Sequence, residues 1–182
     1  MRTNTQRTMQ AYVDDFTIGH ANGIIGESAL QNPIDAAYNR KLQKVRVNVY
    51  VDVNNGIMKI RDRGTKGMNH CSECEWGIIH VEDGDDHQCE NFLNCPWATF
   101  HSAAQEGKES GELGSRGLGK SLALLAGDGG IIVRTKIATV GNRHKSMASR
   151  ITLSDVGVGN WTWELAPDEA WNFKEDVGTE IE

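Results

Sequence analysis

Residues 45–61 read VRVNVYVDVNNGIMKIR, and this stretch decides the fold. From residue 45 to residue 53 valine alternates with polar or aromatic side chains, which predicts a strand with one buried face. The sequence Asn54-Asn55-Gly56 is typical of a tight turn, and residues 57–61 return as a second strand. The stretch therefore predicts a β-hairpin.

Further secondary structure is expected on both sides of this hairpin. Strand-like composition predicts three more strands, at residues 131–136, 149–153 and 161–165. Mixed or helically spaced apolar residues predict three helices, within residues 8–25, 29–42 and 121–125. Helices that come mostly first, with strands around them, favour an α+β domain with a mainly antiparallel sheet.

Composition limits what kind of protein this is. A chain of 182 residues with 38% hydrophobic and 24% charged residues predicts a single globular domain over residues 1–182 and excludes a disordered chain. No apolar run is long enough for a transmembrane helix, and the polar first ten residues exclude a signal peptide. We therefore expect a cytoplasmic or nuclear protein that is not secreted. A net charge of −6 argues against direct nucleic-acid binding.

All four cysteines fall in one short polar segment: Cys71, Cys74, Cys89 and Cys95. A Cys-x-x-Cys pair lets two thiolates grip one zinc ion, and the second pair can complete a tetrahedral set. Four histidines are spare candidates for ligands: His70, His80, His87 and His101. The alternative is four ordinary reduced thiols. Zinc is favoured because core packing alone does not explain why every cysteine lies in one polar loop.

Glycines mark two segments where backbone can approach a ligand closely. Residues 114–121, GSRGLGKS, match the P-loop pattern formally, but no strand precedes them, so we interpret them as a glycine turn before a helix. The second segment, residues 62–68, reads DRGTKGM and follows the hairpin. Asp62 at a strand end suits the exocyclic amine of a purine, although a plain Asx turn is the simpler interpretation.

Two further short motifs complete the series. Asn32 and Asp35 share one helix face, where a side-chain amide can ligate Mg²⁺; Asn32 as an ordinary helix N-cap before Pro33 is the alternative. Near the C-terminus, Gly178-Thr179 is a turn that enters a strand.

The order of these motifs resembles the GHKL ATPase superfamily, which includes DNA gyrase B, the ninety-kilodalton heat-shock chaperones, histidine kinases and MutL. The resemblance covers about residues 24–182 and is nearest the gyrase, MutL and MORC branch over residues 93–121. It implies the Bergerat fold, a two-layer α/β sandwich with a mixed, mainly antiparallel sheet. It also implies a long ATP lid over about residues 69–113.

The resemblance further implies a site for ATP and Mg²⁺. Asn32 would ligate Mg²⁺, Asp62 would accept from the adenine amine, and Thr179 would support that contact. The base and ribose would lie against Gly64, Gly67 and Met68. The phosphates would lie against Gly114, Gly117 and Gly119, with charge from Lys120.

The sequence departs from the family in three places. The family's general-base glutamate lies four residues before the asparagine, where this chain has Ser28; Glu27, one residue away, is the candidate catalytic base. One extra residue separates Gly64 from Gly67. The cysteine-rich lid has no counterpart in the family. The chain is therefore expected to be an ATPase only if Glu27 serves as the general base.

The expected function is ATP-Mg²⁺ binding with slow hydrolysis, in which nucleotide controls lid closure or homodimerisation. The alternative is a non-hydrolysing, zinc-stabilised nucleotide-binding or protein-interaction domain. A P-loop NTPase that depends on Lys120 is a third interpretation. Family members carry further domains after this module, so we expect a fragment of a larger protein or a subunit with a partner, without membrane contact.

Overall fold

The computed structural model describes residues 33–34, 45–80, 86–89, 95–101, 130–138, 144–153, 161–171 and 177–182. The strands, in chain order, are β1 (Arg46–Asp52), β2 (Ile57–Arg63), β3 (Ile78–His80), β4 (Asp86–Gln88), β5 (Gly130–Ala138), β6 (His144–Leu153), β7 (Trp161–Leu165) and β8 (Gly178–Ile181). Helix α1 spans Pro96–His101, and a 3-10 helix spans Pro167–Glu169. Residues 33 and 34 are also helical.

The predicted hairpin is confirmed, but the expected burial of the valine face of its first strand is wrong, since Val49, Val51 and Val53 are exposed. β1 and β2 pair antiparallel along their whole length, from Arg46 opposite Arg63 to Asp52 opposite Ile57. The Asp52 carboxylate stabilises the turn because Oδ1 accepts the backbone amides of Asn54 and Asn55 at 3.1 and 3.2 Å. The second strand runs two residues further than expected, to Arg63, so Asp62 lies within the sheet rather than after it.

The hairpin forms one edge of a six-stranded sheet with the strand order β1-β2-β8-β5-β6-β7. Strand β8 lies between β2 and β5, where Ile181 is opposite both Ile60 and Val133. The strands predicted at residues 131–136, 149–153 and 161–165 are confirmed, the first two as parts of longer strands. All described strand pairs are antiparallel.

The two faces of the sheet differ in chemistry. One face is apolar around the buried residues Val133 and Ile151. On the other face Arg134 forms ion pairs with three carboxylates, those of Glu169, Glu180 and Glu182. The ion pairs connect the 3-10 helix and the C-terminal strand to β5.

The expected two-layer α/β sandwich is wrong. The described residues form mostly a six-stranded antiparallel sheet with one short helix. The helices predicted within residues 8–25, 29–42 and 121–125 lie outside the described residues, apart from residues 33 and 34. Within the described residues, the cysteine-rich segment, which contains Cys71, Cys74, Cys89 and Cys95, packs on the apolar face of β5 and β6.

The segment expected to form the lid, residues 69–113, lies partly within the described residues. Its described part contains β3, β4 and α1, and it packs into the hydrophobic core through Trp76 and Trp97. The physical reason is its content of tryptophan and buried cysteine, which supplies apolar surface without a regular apolar period. Within the described residues, no helix has the length and apolar character needed to cross a membrane.

Candidate metal centre and the Asp62 site

The four cysteines come together in the folded chain. The Cys71 sulfur lies 3.3 Å from that of Cys74 and 3.5 Å from that of Cys89. The sulfurs of Cys74 and Cys95 are 4.0 Å apart. All four sulfurs lie within 4.8 Å of one another, and all four side chains are buried, free thiols. This cysteine cluster can hold a metal ion such as zinc.

The spacing of the sulfurs matches a tetrahedral ion. Four thiolates that each lie about 2.3 Å from one zinc ion are about 3.8 Å from one another. The observed separations of 3.3, 3.5 and 4.0 Å lie on both sides of that value. The set is also chemically uniform, and four thiolates with no open position are typical of a structural site.

The four ligands lie beside short secondary-structure elements. Cys71 and Cys74 lie in the irregular stretch before β3, Cys89 follows β4 directly, and Cys95 directly precedes α1. The Cys89 amide donates to the Gly77 carbonyl at 2.6 Å, and the Trp97 amide donates to the Asn69 carbonyl at 3.0 Å. These bonds hold three separate chain segments around one point.

The thiols of the cluster are not equivalent. Burial opposes ionisation of Cys71, but hydrogen bonds with Cys74, with the Glu73 backbone and with Cys89 outweigh burial and lower the pKa of the Cys71 thiol. Burial raises the pKa of the Cys74 thiol, and hydrogen bonds with Cys89 and Cys71 add to that effect. A cation at the centre would favour the thiolate form of all four residues.

Neither described histidine side chain is a ligand. Nδ1 of His70 lies 2.9 and 2.8 Å from the carbonyl oxygens of Cys71 and Cys74, so it donates to the turn that carries them. His101 contacts the Trp97 carbonyl and the Ser149 hydroxyl, both at 2.6 Å. The side chains of His80 and His87 lie outside the described residues.

Aromatic rings join the cluster to the sheet. Trp76 packs edge-on against Trp97 with ring centroids 5.5 Å apart, and His101 lies between Trp97 and Trp163 at 4.5 and 4.4 Å. Trp76 has a φ of 53°, an uncommon value for a bulky residue, so tertiary packing must hold it there. The conformation of the Cys74 turn therefore depends on the same core that covers the sheet.

The second candidate site lies near the end of β2, around Asp62. The carboxylate accepts hydrogen bonds from the Thr65 hydroxyl and from the Thr179 backbone amide. Burial raises the pKa of Asp62 to about 6, and those two hydrogen bonds together with the charge of Arg61 act in the opposite direction. The structure thus brings together two predicted site residues, Asp62 and Thr179, from distant parts of the sequence.

Gly67 and Met68 fix the chain beside this carboxylate. The Met68 amide donates to Oγ1 of Thr135 at 2.6 Å, and the Gly67 amide donates to Oγ1 of Thr65 at 3.3 Å. Gly67 has a φ of +65°, and a Cβ there would lie 2.3 Å from the Lys136 carbonyl oxygen. Only glycine allows this close approach of two backbone segments.

Gly64 also lies at this site, since its amide donates to the Val177 carbonyl at 2.8 Å. The other residues predicted to bind nucleotide or to act in hydrolysis lie outside the described residues: Glu27, Asn32, Gly114, Gly117, Gly119 and Lys120. The described part of the chain therefore contains only the base end of the expected nucleotide site.

Comparisons with known proteins assign no family. No protein-family model matches the chain, and no curated protein matches it. The resemblance to the GHKL superfamily therefore stays a prediction, and the function must be argued from the residues themselves.

Sequence reasoning missed three polar residues that the structure places at these sites. Thr65 has a local signal, because a threonine three residues after an aspartate can hydrogen-bond back to it. Thr135 and Ser149 have none, since their partners Met68 and His101 are distant in sequence.

Proposed function

We propose that the cysteine cluster binds one Zn²⁺ as a structural centre that holds the described residues of the cysteine-rich segment on the apolar face of the sheet. The observation that carries this proposal is the convergence of four buried sulfurs from three separate chain segments. A site with four thiolate ligands leaves no open position for substrate, so its role is structural.

Iron is the competing occupant, because tetrahedral sets of four sulfurs also hold iron. The two metals are distinguished by elemental analysis and by visible absorption, since zinc is colourless. We expect about one equivalent of zinc per chain after purification without chelator. Less than a tenth of an equivalent of any metal contradicts the centre, and one equivalent of iron contradicts zinc.

A matched pair of variants tests the ligands. Cys89→Ser removes one thiolate from the centre, whereas Ser72→Ala changes an exposed residue in the turn between two of the ligands. We expect Cys89→Ser to lose most of the bound zinc and Ser72→Ala to keep it. Equal zinc content in both variants contradicts the assignment of Cys89 as a zinc ligand.

A second candidate function is supported by the Asp62 site. We propose that Asp62 accepts from the exocyclic amine of an adenine base, with Gly64, Gly67, Met68 and Thr179 around it. What supports this is a buried carboxylate with a raised pKa beside closely packed glycine backbone, because perturbed ionisable groups concentrate at functional sites. ATP-Mg²⁺ binding and slow hydrolysis through Glu27 remain part of this proposal.

Nucleotide-induced shifts in melting temperature test this candidate. We expect ATP to raise the melting temperature of the wild type and to have little effect on Asp62→Asn. Asp168→Asn, on the exposed 3-10 helix, is the control and should respond like the wild type. An ATP-induced melting shift that persists in Asp62→Asn but is lost in Lys120→Ala would instead favour a P-loop site.

Hydrolysis needs a separate measurement. If the protein turns over ATP, we expect Glu27→Ala to abolish turnover and to leave the melting shift intact, because a general base acts on the reaction more than on binding. An unchanged rate in that variant excludes Glu27 as the base. Absence of turnover in the wild type leaves the non-hydrolysing alternative as the function.

A further inference from the structure

Among the described strands, β1 has a partner on one edge only. Within the part of the chain that the structure describes, β1 pairs with β2 and with no other strand, and it forms the end of the sheet. The seven paired residues form an uninterrupted ladder with no bulge. The opposite edge therefore presents a straight row of backbone donors and acceptors.

Within the described residues, the middle of this edge lacks the features that usually keep strands apart. Natural edge strands are protected by charges, proline, bulges or short length. Residues 47–51 read VNVYV and contain no charge, proline or glycine. Their large side chains are exposed: Val49 at 43%, Tyr50 at 55% and Val51 at 58%. A strand of this kind is suited to accept another strand.

The charges at the two ends of β1 identify the partner. Arg46 is at one end and Asp52 at the other, three residues on either side of Val49. If two copies of β1 pair antiparallel about Val49, Arg46 of each copy faces Asp52 of the other. In the same register Val47 faces Val51, and Asn48 faces Tyr50. Every cross-strand pair is then complementary in charge or in polarity.

The charges also select one register. The register centred on Val49 places the Asp52 carboxylate of the second copy opposite Arg46, and a register shifted by one pair does not.

We infer that two copies of this chain form a symmetric dimer through their β1 edges, antiparallel and centred on Val49, so that two sheets become one continuous sheet. A two-fold axis through Val49 makes the interface isologous, the commonest arrangement in homodimers. The dimer requires neither the metal nor a nucleotide, because β1 contributes no residue to the cysteine cluster or to the Asp62 site.

Sedimentation equilibrium of the full chain with zinc and without nucleotide tests the inference. We expect a mass of twice 20.1 kDa for the wild type at micromolar concentration. Arg46→Asp places Asp opposite Asp52 at both ends of the interface, and Val49→Lys places two lysines together on the axis. Each change should raise the dimer dissociation constant about tenfold or more.

The matched control is Thr162→Lys, an exposed position on β7 at the other end of the same sheet. We expect this variant to dimerise like the wild type. Far-UV circular dichroism and the melting temperature of each variant confirm that a change in mass is not a change in folding.

A mixing experiment tests the register itself. Asp52→Arg should be weakly dimeric alone, because Arg then faces Arg, but an equimolar mixture with Arg46→Asp restores opposite charges at both ends. We expect the mixture to form dimers when neither variant does. Since Asp52 also supports the turn, Val49→Lys remains decisive if Asp52→Arg does not fold. A wild type that is monomeric at 100-fold higher concentration overturns the inference, as does a dimer that only Thr162→Lys dissociates.

Discussion

The cysteine cluster and the Asp62 site lie on one sheet, and both contain buried ionisable groups, but they satisfy those groups differently. At the Asp62 site the chain supplies the partners itself, through Thr65 and the Thr179 amide. In the cysteine cluster the sulfurs contact one another as well as nearby backbone groups. Thiolates repel one another unless a cation lies between them.

This difference has a consequence for stability. With the proposed zinc centre, the free energy that holds the cysteine-rich segment on the sheet depends on a ligand from outside, so the supply of metal controls it. The free energy of the Asp62 site depends on protonation of one carboxyl group, so pH controls it. The following predictions separate the two.

The largest effect should follow removal of the metal. Structural zinc contributes on the order of 10 kcal/mol in small zinc domains, so we expect a strong chelator to lower the free energy of unfolding by more than about 5 kcal/mol. Amide hydrogen exchange locates the loss. Protection should disappear first at Cys89 and Trp97, whose amides bond to Gly77 and Asn69, and later in β1 and β2.

Re-addition of zinc, but not of magnesium, should restore that protection, since thiolates prefer zinc. If β1 and β2 lose protection together with Cys89, the sheet and the cysteine-rich segment form one cooperative unit, and the contrast between the two regions is wrong. An unchanged stability in chelator would falsify the structural role of the cluster.

The second effect is the pH dependence at Asp62. Its folded-state pKa of about 6 lies above the ordinary value of 3.8, so the folded protein binds this proton more tightly than the unfolded chain does. Stability from this group is therefore greatest below about pH 4 and falls as pH rises through about 6, by about 3 kcal/mol in all.

The measurement is urea denaturation of the wild type and of Asp62→Asn across that pH range. Subtracting the plot of unfolding free energy against pH for Asp62→Asn from that of the wild type removes the contribution of every other titrating group, including the cysteines. We expect the wild type to lose stability relative to Asp62→Asn as pH rises. A constant difference means that the pKa of Asp62 is not raised in the folded state.

Much of the sheet could be predicted from sequence, because the patterns that predict it are formed by residues adjacent in the chain. In β1 the valines alternate over a whole strand, and the turn residues Asn54 to Gly56 follow directly. Trp161–Leu165 was predicted with its observed bounds because β-branched and aromatic residues concentrate there. The close spacing of Cys71, Cys74, Cys89 and Cys95 in the sequence likewise predicts the cluster that the structure contains.

The layer that covers the sheet could not be predicted. Residues 62–120 hold few apolar periodicities, and only the family resemblance implies a lid over about residues 69–113, so nothing in the sequence predicts that Trp97 and Cys95 are entirely buried. Contacts between distant residues set their position, as with the Trp97 amide and Asn69. The family resemblance added an α/β sandwich that the described residues contradict, because motif order constrains a site more closely than it constrains a whole fold.

A smaller effect is expected where the chain turns from the Asp62 site toward the cluster. Gly67→Ala places a methyl group 2.3 Å from the Lys136 carbonyl oxygen, so one backbone segment must move. Gly56→Ala is a matched control, because its φ is +64° but no atom lies within 4 Å of the added methyl. We expect Gly67→Ala to lose about 2 kcal/mol more than the control.

Chemical denaturation at pH 7 with zinc present measures both glycine variants. Zinc content should be unchanged in each, since neither glycine contacts a sulfur. If Gly67→Ala also loses zinc, residues 62–71 transmit strain between the two regions, and the regions are not independent. Equal losses in the two variants mean that the close approach at Gly67 relaxes freely.

The smallest effects distinguish two contacts between the cysteine-rich segment and β6. One is the buried hydrogen bond of His101 to Ser149 at 2.6 Å, and the other is the exposed pair of Lys145 and Glu75 at 3.4 Å. Ser149→Ala leaves Nε2 of His101 buried without that partner, which costs about 1.5 kcal/mol. Lys145→Ala removes a solvent-screened ion pair worth less than about 0.5 kcal/mol.

Urea denaturation in low and high salt distinguishes the two variants, because only Lys145→Ala should lose its small effect on stability in high salt. If Lys145→Ala lowers the free energy of unfolding more than Ser149→Ala does, exposed ion pairs hold the cysteine-rich segment on the sheet more strongly than the buried contacts do.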